Sequence, residues 1–362
     1  MSKIKGHQVK TFNPGSFKTA SACCAENLFN FQNGTFEITK NKMILRDFSR
    51  ADFLTYQLGF AYDETAIFAK WQSFLDEVLP EKDKNGKVID EGKTRQNVLA
   101  EYLAYVLARH LKLEKTLILY GTGANGKSVV FEVTNAIYGK DNVSNYSLES
   151  LCGEYYRAML ANKILNYSSE ISNRLQAEKF KQLTSGEPIE ARLPYGQPMT
   201  LMNYARLAFN CNELPKDVEH SEAFFRRFLI LPFDVTVPEE NRDPNLANEI
   251  IEAELPGVFN WILEGLKRLL EQNNFSQCDA ARKAVEVYRR ESDSVAMFIE
   301  EYGYKKSTDD YESLQDLYSS YSNFCSNNGF LRVHSRNLVK RLEVLGFKSG
   351  KKTYGKIIFI KK

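Results

Sequence analysis

The sequence predicts an α/β protein: a parallel-sheet core carrying a phosphate loop, a small, mainly helical module before it, and a basic unit after it. Three observations lead there. Residues Gly121-Thr122-Gly123-Ala124-Asn125-Gly126-Lys127-Ser128 form a complete G-x-x-x-x-G-K-S motif. Apolar strand candidates alternate with helical patterns around that motif, and such alternation builds parallel sheets. From Leu331 to the C-terminus, ten basic residues face a single acid, Glu343.

Taken in order, residues 1 to about 92 form an entry module. Phe29 to Ile38 carries an Asn33-Gly34 hairpin signal, and helical patterning follows from Asp52. The charged stretch from Pro80 to Gly92 reads as an exposed loop. A helix from Thr94, with Val98, Leu99, Tyr102, Leu103, Val106 and Leu107 at helical spacing, leads into the short apolar strand Thr116 to Tyr120. A second helix runs from Ser128 to Tyr138, so the glycine loop lies between a strand and a helix, as a phosphate loop requires. Further strands are expected at Lys163 to Ser169 and Ala205 to Asn212. A helical segment from Ala247 to Glu271 closes a core domain spanning residues 93–285.

The third unit covers residues 292–362. It reads as a helix from Glu312 to Asn327, a short helix capped by Ser335, and a basic hairpin from Phe347 to Ile360, which is how a winged helix is written. In such a module the helix enters the major groove of duplex DNA while wing lysines hold phosphates. Arg336, Lys340, Lys351 and Lys352 are the candidate contacts.

Composition narrows the class. At 362 residues and 43% hydrophobic content there is room for two or three ordinary cores. No apolar stretch approaches the roughly 20 residues of a membrane span, and Met1 to Lys5 lacks the apolar core of a signal peptide. A cytoplasmic protein with no membrane partner is expected. Six cysteines without C-x-x-C spacing and four histidines spell neither a zinc site nor a disulfide framework. Adjacent Cys23 and Cys24 are expected to stay reduced.

The motif dictates the chemistry. Glycines let the loop aim its N–H groups at the β-phosphate of ATP, and the following helix adds its dipole. Lys127 would reach the β- and γ-phosphates, and Ser128 would ligate Mg²⁺. An acid at the end of a neighbouring strand must hold Mg²⁺ or orient the attacking water. Glu170 is that candidate, with Ser169 where a first acid would stand. Asn212 ends the next strand, placed to bond the γ-phosphate or the lytic water. Arg226 and Arg227 precede an apolar strand, and either can neutralise charge developing on a γ-phosphate in a neighbouring subunit.

In their order, these features resemble the superfamily 3 DNA helicases, in particular the phage- and plasmid-type primase-helicases related to the poxvirus enzyme. The residues carrying the likeness are the phosphate loop, the strand ending in Glu170, Lys181-Gln-Leu-Thr-Ser-Gly186-Glu-Pro-Ile-Glu-Ala-Arg192-Leu-Pro-Tyr195-Gly196, the Asn212-x-x-Pro215 strand and Arg226-Arg227. It covers about residues 29 to 235.

The resemblance implies an AAA+-like ATPase fold and a hexameric ring with ATP at subunit interfaces, hence an arginine acting in trans. It also implies a hairpin from Ile189 to Leu201, tipped by Pro194 to Gln197, that grips DNA. Tyr195 would stack on a base or pack on sugar, and Lys181 and Arg192 would meet phosphate. The expected activity is that of an ATP-dependent replicative helicase of a phage, plasmid or other mobile element, translocating on single-stranded DNA in a bacterial host or phage-infected cell. Replication proteins would be its partners. The rival expectation is an ATP-switched initiator or loader that binds origin DNA without processive unwinding. No paired-carboxylate primase signature is evident in the first hundred residues, and no priming activity is expected from them.

Overall fold

The computed structural model describes residues 27–38, 42–54, 56–82, 88–89, 93–171, 175–216 and 218–362. The Cys23-Cys24 pair and most of the charged 83–92 stretch lie outside them.

Strands β1 (Asn27–Phe31), β2 (Gly34–Ile38) and β3 (Met43–Arg46) form an antiparallel sheet, with β1 and β2 joined by a turn at Gln32-Asn33, one residue before the expected Asn33-Gly34. The helical pattern expected from Asp52 does not form. Only a 3₁₀ turn covers Arg50–Asp52, and the described residues after it are non-helical until α1 (Ala69–Val78). The reason is local bonding: Leu58 N–H donates to Asn30 O at 2.7 Å and Gln32 N–H to Phe60 O at 3.2 Å, so this segment lies along β1. The described part of the module is therefore a small sheet with one helix rather than mainly helical. Phe31 packs on Phe259 with ring centroids 4.9 Å apart, and Trp71 on Trp261 at 5.5 Å, fastening the module to the core.

The core contains α2 (Thr94–Leu107), β4 (Thr116–Tyr120), α3 (Lys127–Tyr138), β5 (Val143–Ser144), α4 (Glu154–Ala158) and β6 (Leu165–Ser168). It continues with α5 (Ala177–Ser185), β7 (Ile189–Arg192), β8 (Pro198–Leu201), β9 (Arg206–Cys211), α6 (Glu222–Phe225) and β10 (Phe228–Pro232). Five strands make one parallel sheet in the order β10-β4-β9-β6-β5. Both faces are covered, which is why its strands read as apolar runs. Alternate residues point to opposite sides. Leu117, Leu119, Ala208 and Leu231 join the core that also holds α2 and the N-terminal sheet. Ile118, Leu207, Phe209, Phe228 and Ile230 pack on the other side with Phe180, Phe224 and Tyr288.

The helical segment expected from Ala247 to Glu271 consists of two helices, α7 (Leu246–Ala253) and α8 (Leu255–Gln272). Pro256 cannot continue a helix from within but suits the first turn of one. Glu254, at the break, accepts from Lys70 N–H (2.9 Å) and Trp71 N–H (3.0 Å), closing the N-terminus of α1. Helix α9 (Asp279–Glu291) lies along β10 and brings Tyr288 to its core.

Beyond it, α10 (Ser294–Glu301), α11 (Leu314–Asn328), α12 (Ser335–Val344) and the antiparallel pair β11 (Lys348–Lys352) and β12 (Gly355–Lys361) enclose a third core around Phe298, Tyr321, Leu338 and Ile358. Ser335 is the first residue of α12 and His334 its cap, with no side chain closing the turn. No helix among the described residues is long and apolar enough to cross a membrane.

Candidate functional site

The loop leaves β4 at Gly121, where only glycine fits: a Cβ there would lie 2.2 Å from Phe233 O and 2.4 Å from Asn125 Nδ2. Gly126 takes φ +84° immediately before α3, with Phe74 and Val78 of α1 at its back. The loop therefore opens onto the positive end of a 12-residue helix, a ready-made anion site. Lys127 is buried, and its Nζ donates to Gly121 O at 2.6 Å and to Asn125 Oδ1 at 2.9 Å. Asn125 in turn donates to Phe233 O at 3.0 Å. Burial holds the Lys127 ammonium below its ordinary pKa, partly offset by Cys211.

A cavity of 360 Å³ opens over the loop, within the roughly 300–1,000 Å³ usual for small-molecule sites. Ser128, Ser169, Asn210 and Asn212 line it from the sheet side. The strand ends thus bring together three of the motifs separated in sequence: the phosphate loop, the strand before Glu170 and the strand before Asn212. Asn210 was not singled out by the sequence, although it lies two residues before Asn212 on the same strand. It accepts from Tyr167 Oη at 2.8 Å and donates to Lys127 O at 3.3 Å, linking β6, β9 and the loop helix. Phe74 and Glu77 of α1, and Arg242 and Asp243 before α7, form the other walls. Sequence patterning missed these too. Val237 N–H donates to Ala124 O at 2.8 Å, which draws the 237–246 segment over the loop.

Glu170 is exposed and lies one residue beyond Ser169, outside the lining. Among the described residues no cluster of His, Cys, Asp or Glu could by itself hold a metal. Mg²⁺ brought by a nucleotide keeps several waters and takes few protein ligands beside phosphate oxygens. Ser128 lines the cavity with a hydroxyl.

The two arginines differ sharply. Arg227 is buried; its Nε and Nη2 donate to Ser185 Oγ at 3.2 and 2.8 Å, and Nη1 bonds Ala223 O. Arg226 pairs with Glu114 at 2.7 Å and keeps 52% of its side chain exposed. Both precede β10, whose Phe228 pairs with Thr116 at the start of β4, so they sit at the sheet end opposite the phosphate loop.

Strands β7 and β8 form the hairpin, in register from Ile189–Leu201 to Arg192–Pro198. Tyr195 at the tip is fully exposed, with φ +59°. Arg192 Nε donates to Gly196 O at 3.0 Å, bracing the turn. Lys181 is engaged elsewhere, donating to both Glu219 oxygens at 3.0 and 2.8 Å. Its bond and that from Ser221 hold the Glu219 carboxyl below the usual range. In the C-terminal unit Arg336, Lys340 and Lys351 are exposed, while Lys352 Nζ sits 3.8 Å above the Tyr311 ring.

Comparison with known proteins adds three family matches. Residues 17–80 match "D5 N terminal like", residues 119–227 a family of unknown function, DUF5906, and residues 290–358 "Poxvirus D5 protein-like". A protein of Acanthamoeba polyphaga mimivirus, named as a helicase, is 24% identical over 224 residues, covering 57% of this chain and 22% of its own length. The chain thus spans under a quarter of that relative. Two solved structures of the NrS-1 C terminal region align with it. One covers 91% of this chain and 94% of its own at 13% identity and TM-score 0.49; the other covers 93% and 96% at 12% identity and TM-score 0.48. Both ends of the chain are thus similar to D5-type family models, and part of its length is similar to a protein named as a helicase.

Proposed function

We propose that this chain is an ATP-hydrolysing DNA helicase motor of a phage, plasmid or other mobile element, working as a hexameric ring on single-stranded DNA. The observation that carries the proposal is one cavity at the C-terminal ends of adjacent parallel strands, shared by the phosphate loop, Ser169, Asn210 and Asn212. An AAA+-like core suits the strand order, and the basic hairpin behind α12 suits a winged helix on duplex DNA.

In this reading the loop N–H groups cradle the β-phosphate, and Lys127, already desolvated, gives its ammonium to the β- and γ-phosphates. Mg²⁺, when bound beside Ser128, supplies charge neutralisation. Asn212 holds the γ-phosphate side, and Glu170 orients and deprotonates the attacking water at the cavity's rim. Arg226, exposed and one strand length from its own loop, serves the neighbouring subunit's nucleotide. Tyr195 and Arg192 meet the strand in the channel.

The deciding measurement is steady-state ATP hydrolysis with and without single-stranded DNA, with Glu170→Gln as control. Strong stimulation that disappears in the control is expected. Slow, DNA-indifferent hydrolysis would replace the motor with an ATP-switched initiator.

A further inference from the structure

In the C-terminal unit the sheet has a face turned away from its core. Ile358 and Ile360 of β12 point into the third core, so Ile357, Phe359 and Lys361 point to the other side. The register sets Lys348 opposite Phe359, Gly350 opposite Ile357 and Lys352 opposite Gly355, all on this outer face. Helix α12 packs Leu338 and Leu342 into the core and so lies on the inner side. The outer face is therefore distinct from the surface that carries Arg336 and Lys340.

Aromatic rings gather on it. Tyr311 meets Phe359 edge to face with centroids 6.3 Å apart, and the Lys352 ammonium sits 3.8 Å from the centre of the Tyr311 ring. Tyr354 stands in the turn between β11 and β12, and Lys352 and Tyr354 together hold the Tyr311 hydroxyl below the ordinary tyrosine range. A Cβ on Gly350 would stand 3.1 Å from the Phe359 ring, so the glycine lets that ring lie close against the strand. Even so, 39% of Tyr311 and 63% of Tyr354 remain in solvent.

Lysines border the rings. Lys348 is exposed directly across from Phe359, and at the far end Lys305 and Lys361 face each other across the sheet, a like-charge pair that costs the fold stability. Among the described residues none of these three joins an ion pair. Asp309 and Asp310 occupy the turn after Lys306, where they accept from Thr308 and Ser307, so Lys348 is the cation beside the rings. Two ordinary accounts fall short. Lysines on an edge strand guard it against pairing with another sheet, which explains charge on β11. Rings covering a sheet explain the burial of Ile357. Neither calls for two tyrosines left in solvent beside a cation.

Exposed π-faces next to an ammonium match an unpaired nucleic-acid strand, whose bases stack on aromatic rings while its phosphates meet lysine. A duplex keeps the faces of its bases inside its own stack. We propose that the outer face of the β11–β12 sheet binds an unpaired nucleic-acid strand through Tyr311, Tyr354 and Lys348, separately from the α12 side that the proposed function gives to duplex DNA. The site needs no ATP hydrolysis, so its test is independent of the motor reading.

The test uses the full chain carrying Tyr195→Ala, which removes the hairpin's ring, and no nucleotide. Labelled oligothymidylate and a blunt duplex are each titrated by fluorescence anisotropy, with thermal melting as the folding control. Adding Tyr311→Ala with Tyr354→Ala should weaken oligothymidylate binding about tenfold or more and leave duplex affinity unchanged, whereas the corresponding pair of Phe substitutions should match the parent. Lys348→Gln should flatten the single-strand salt dependence by about 0.7 unit. Irradiating the parent with oligothymidylate that carries 5-iododeoxyuridine should crosslink the peptide holding Tyr311 or Tyr354. A folded Ala pair that binds oligothymidylate like the parent, an equal loss for duplex and single strand, or crosslinks found only outside this unit would each overturn the proposal.

Discussion

Arg227 is clamped by Ser185, whose hydroxyl accepts from two of its guanidinium nitrogens, while its chain neighbour Arg226 faces solvent beside Glu114. Adjacent arginines thus hold different work. Arg227→Ala should lower stability by about 1–3 kcal/mol, because Ser185 and Ala223 O lose a buried donor. Arg226→Ala should leave the denaturation midpoint unchanged yet reduce ATP turnover by about 10³-fold, the lower range for a trans-acting arginine. Mixing Arg226→Ala with wild-type chains should depress turnover below simple proportion. Proportional turnover across the mixing series would rule out catalysis across subunits.

That distinction was invisible in the sequence, because it depends on Ser185 and Glu114, each at least 42 residues away along the chain. What was legible is local. The phosphate loop announces itself by spacing, and Leu117, Ile118 and Leu119 announce a strand covered on both faces. Asn212 was singled out because it follows such a strand, and it lines the cavity. The cavity walls formed by Phe74, Glu77 and Asp243 were not found, since α1 and the 237–246 segment reach the loop through tertiary contacts alone. The helical pattern after Asp52 misled for the same reason: Leu58 and Gln32 bond across to β1 and Phe60, and that pairing overrides local periodicity.

Glu254 joins the break between α7 and α8 to the first turn of α1, across more than 180 residues. Helix α1 in turn backs Gly126 with Phe74 and Val78. Glu254→Ala should cost about 1–2 kcal/mol, the usual range for a lost N-cap. It should also raise the dissociation constant for an ATP analogue, since a loosened α1 no longer supports the loop. Glu254→Gln keeps one acceptor and should fall between. Urea denaturation and nucleotide titration read the two effects separately, and a stability loss with unchanged nucleotide affinity would disconnect α1 from the site.

Tyr195 occupies a left-handed backbone position at the hairpin tip with its ring wholly in solvent, so the fold gains little from it. Under the proposed function its ring would stack on a base, a contact worth about 1–3 kcal/mol per base. Tyr195→Ala should therefore keep basal ATP hydrolysis and the melting midpoint while weakening single-strand binding and DNA stimulation by about tenfold or more. Tyr195→Phe, which retains the π-face, should behave as wild type. Equal loss in both variants would mean that the hydroxyl, rather than stacking, makes the contact.

Lys340 on α12 and Lys351 on β11 are exposed, in a unit whose final stretch carries a large excess of positive charge. A lysine that touches only phosphate adds affinity without sequence choice, through release of condensed counterions. Each substitution to alanine should therefore lower duplex affinity uniformly across sequences. Each should also flatten the plot of log affinity against log salt by about one unit. Lys352→Ala should change the slope less, because its ammonium is already engaged over Tyr311. Fluorescence anisotropy over a salt series with two unrelated duplexes separates the cases. An unchanged slope in the Lys340 and Lys351 variants would remove this face from DNA binding and leave the C-terminal unit to protein contacts.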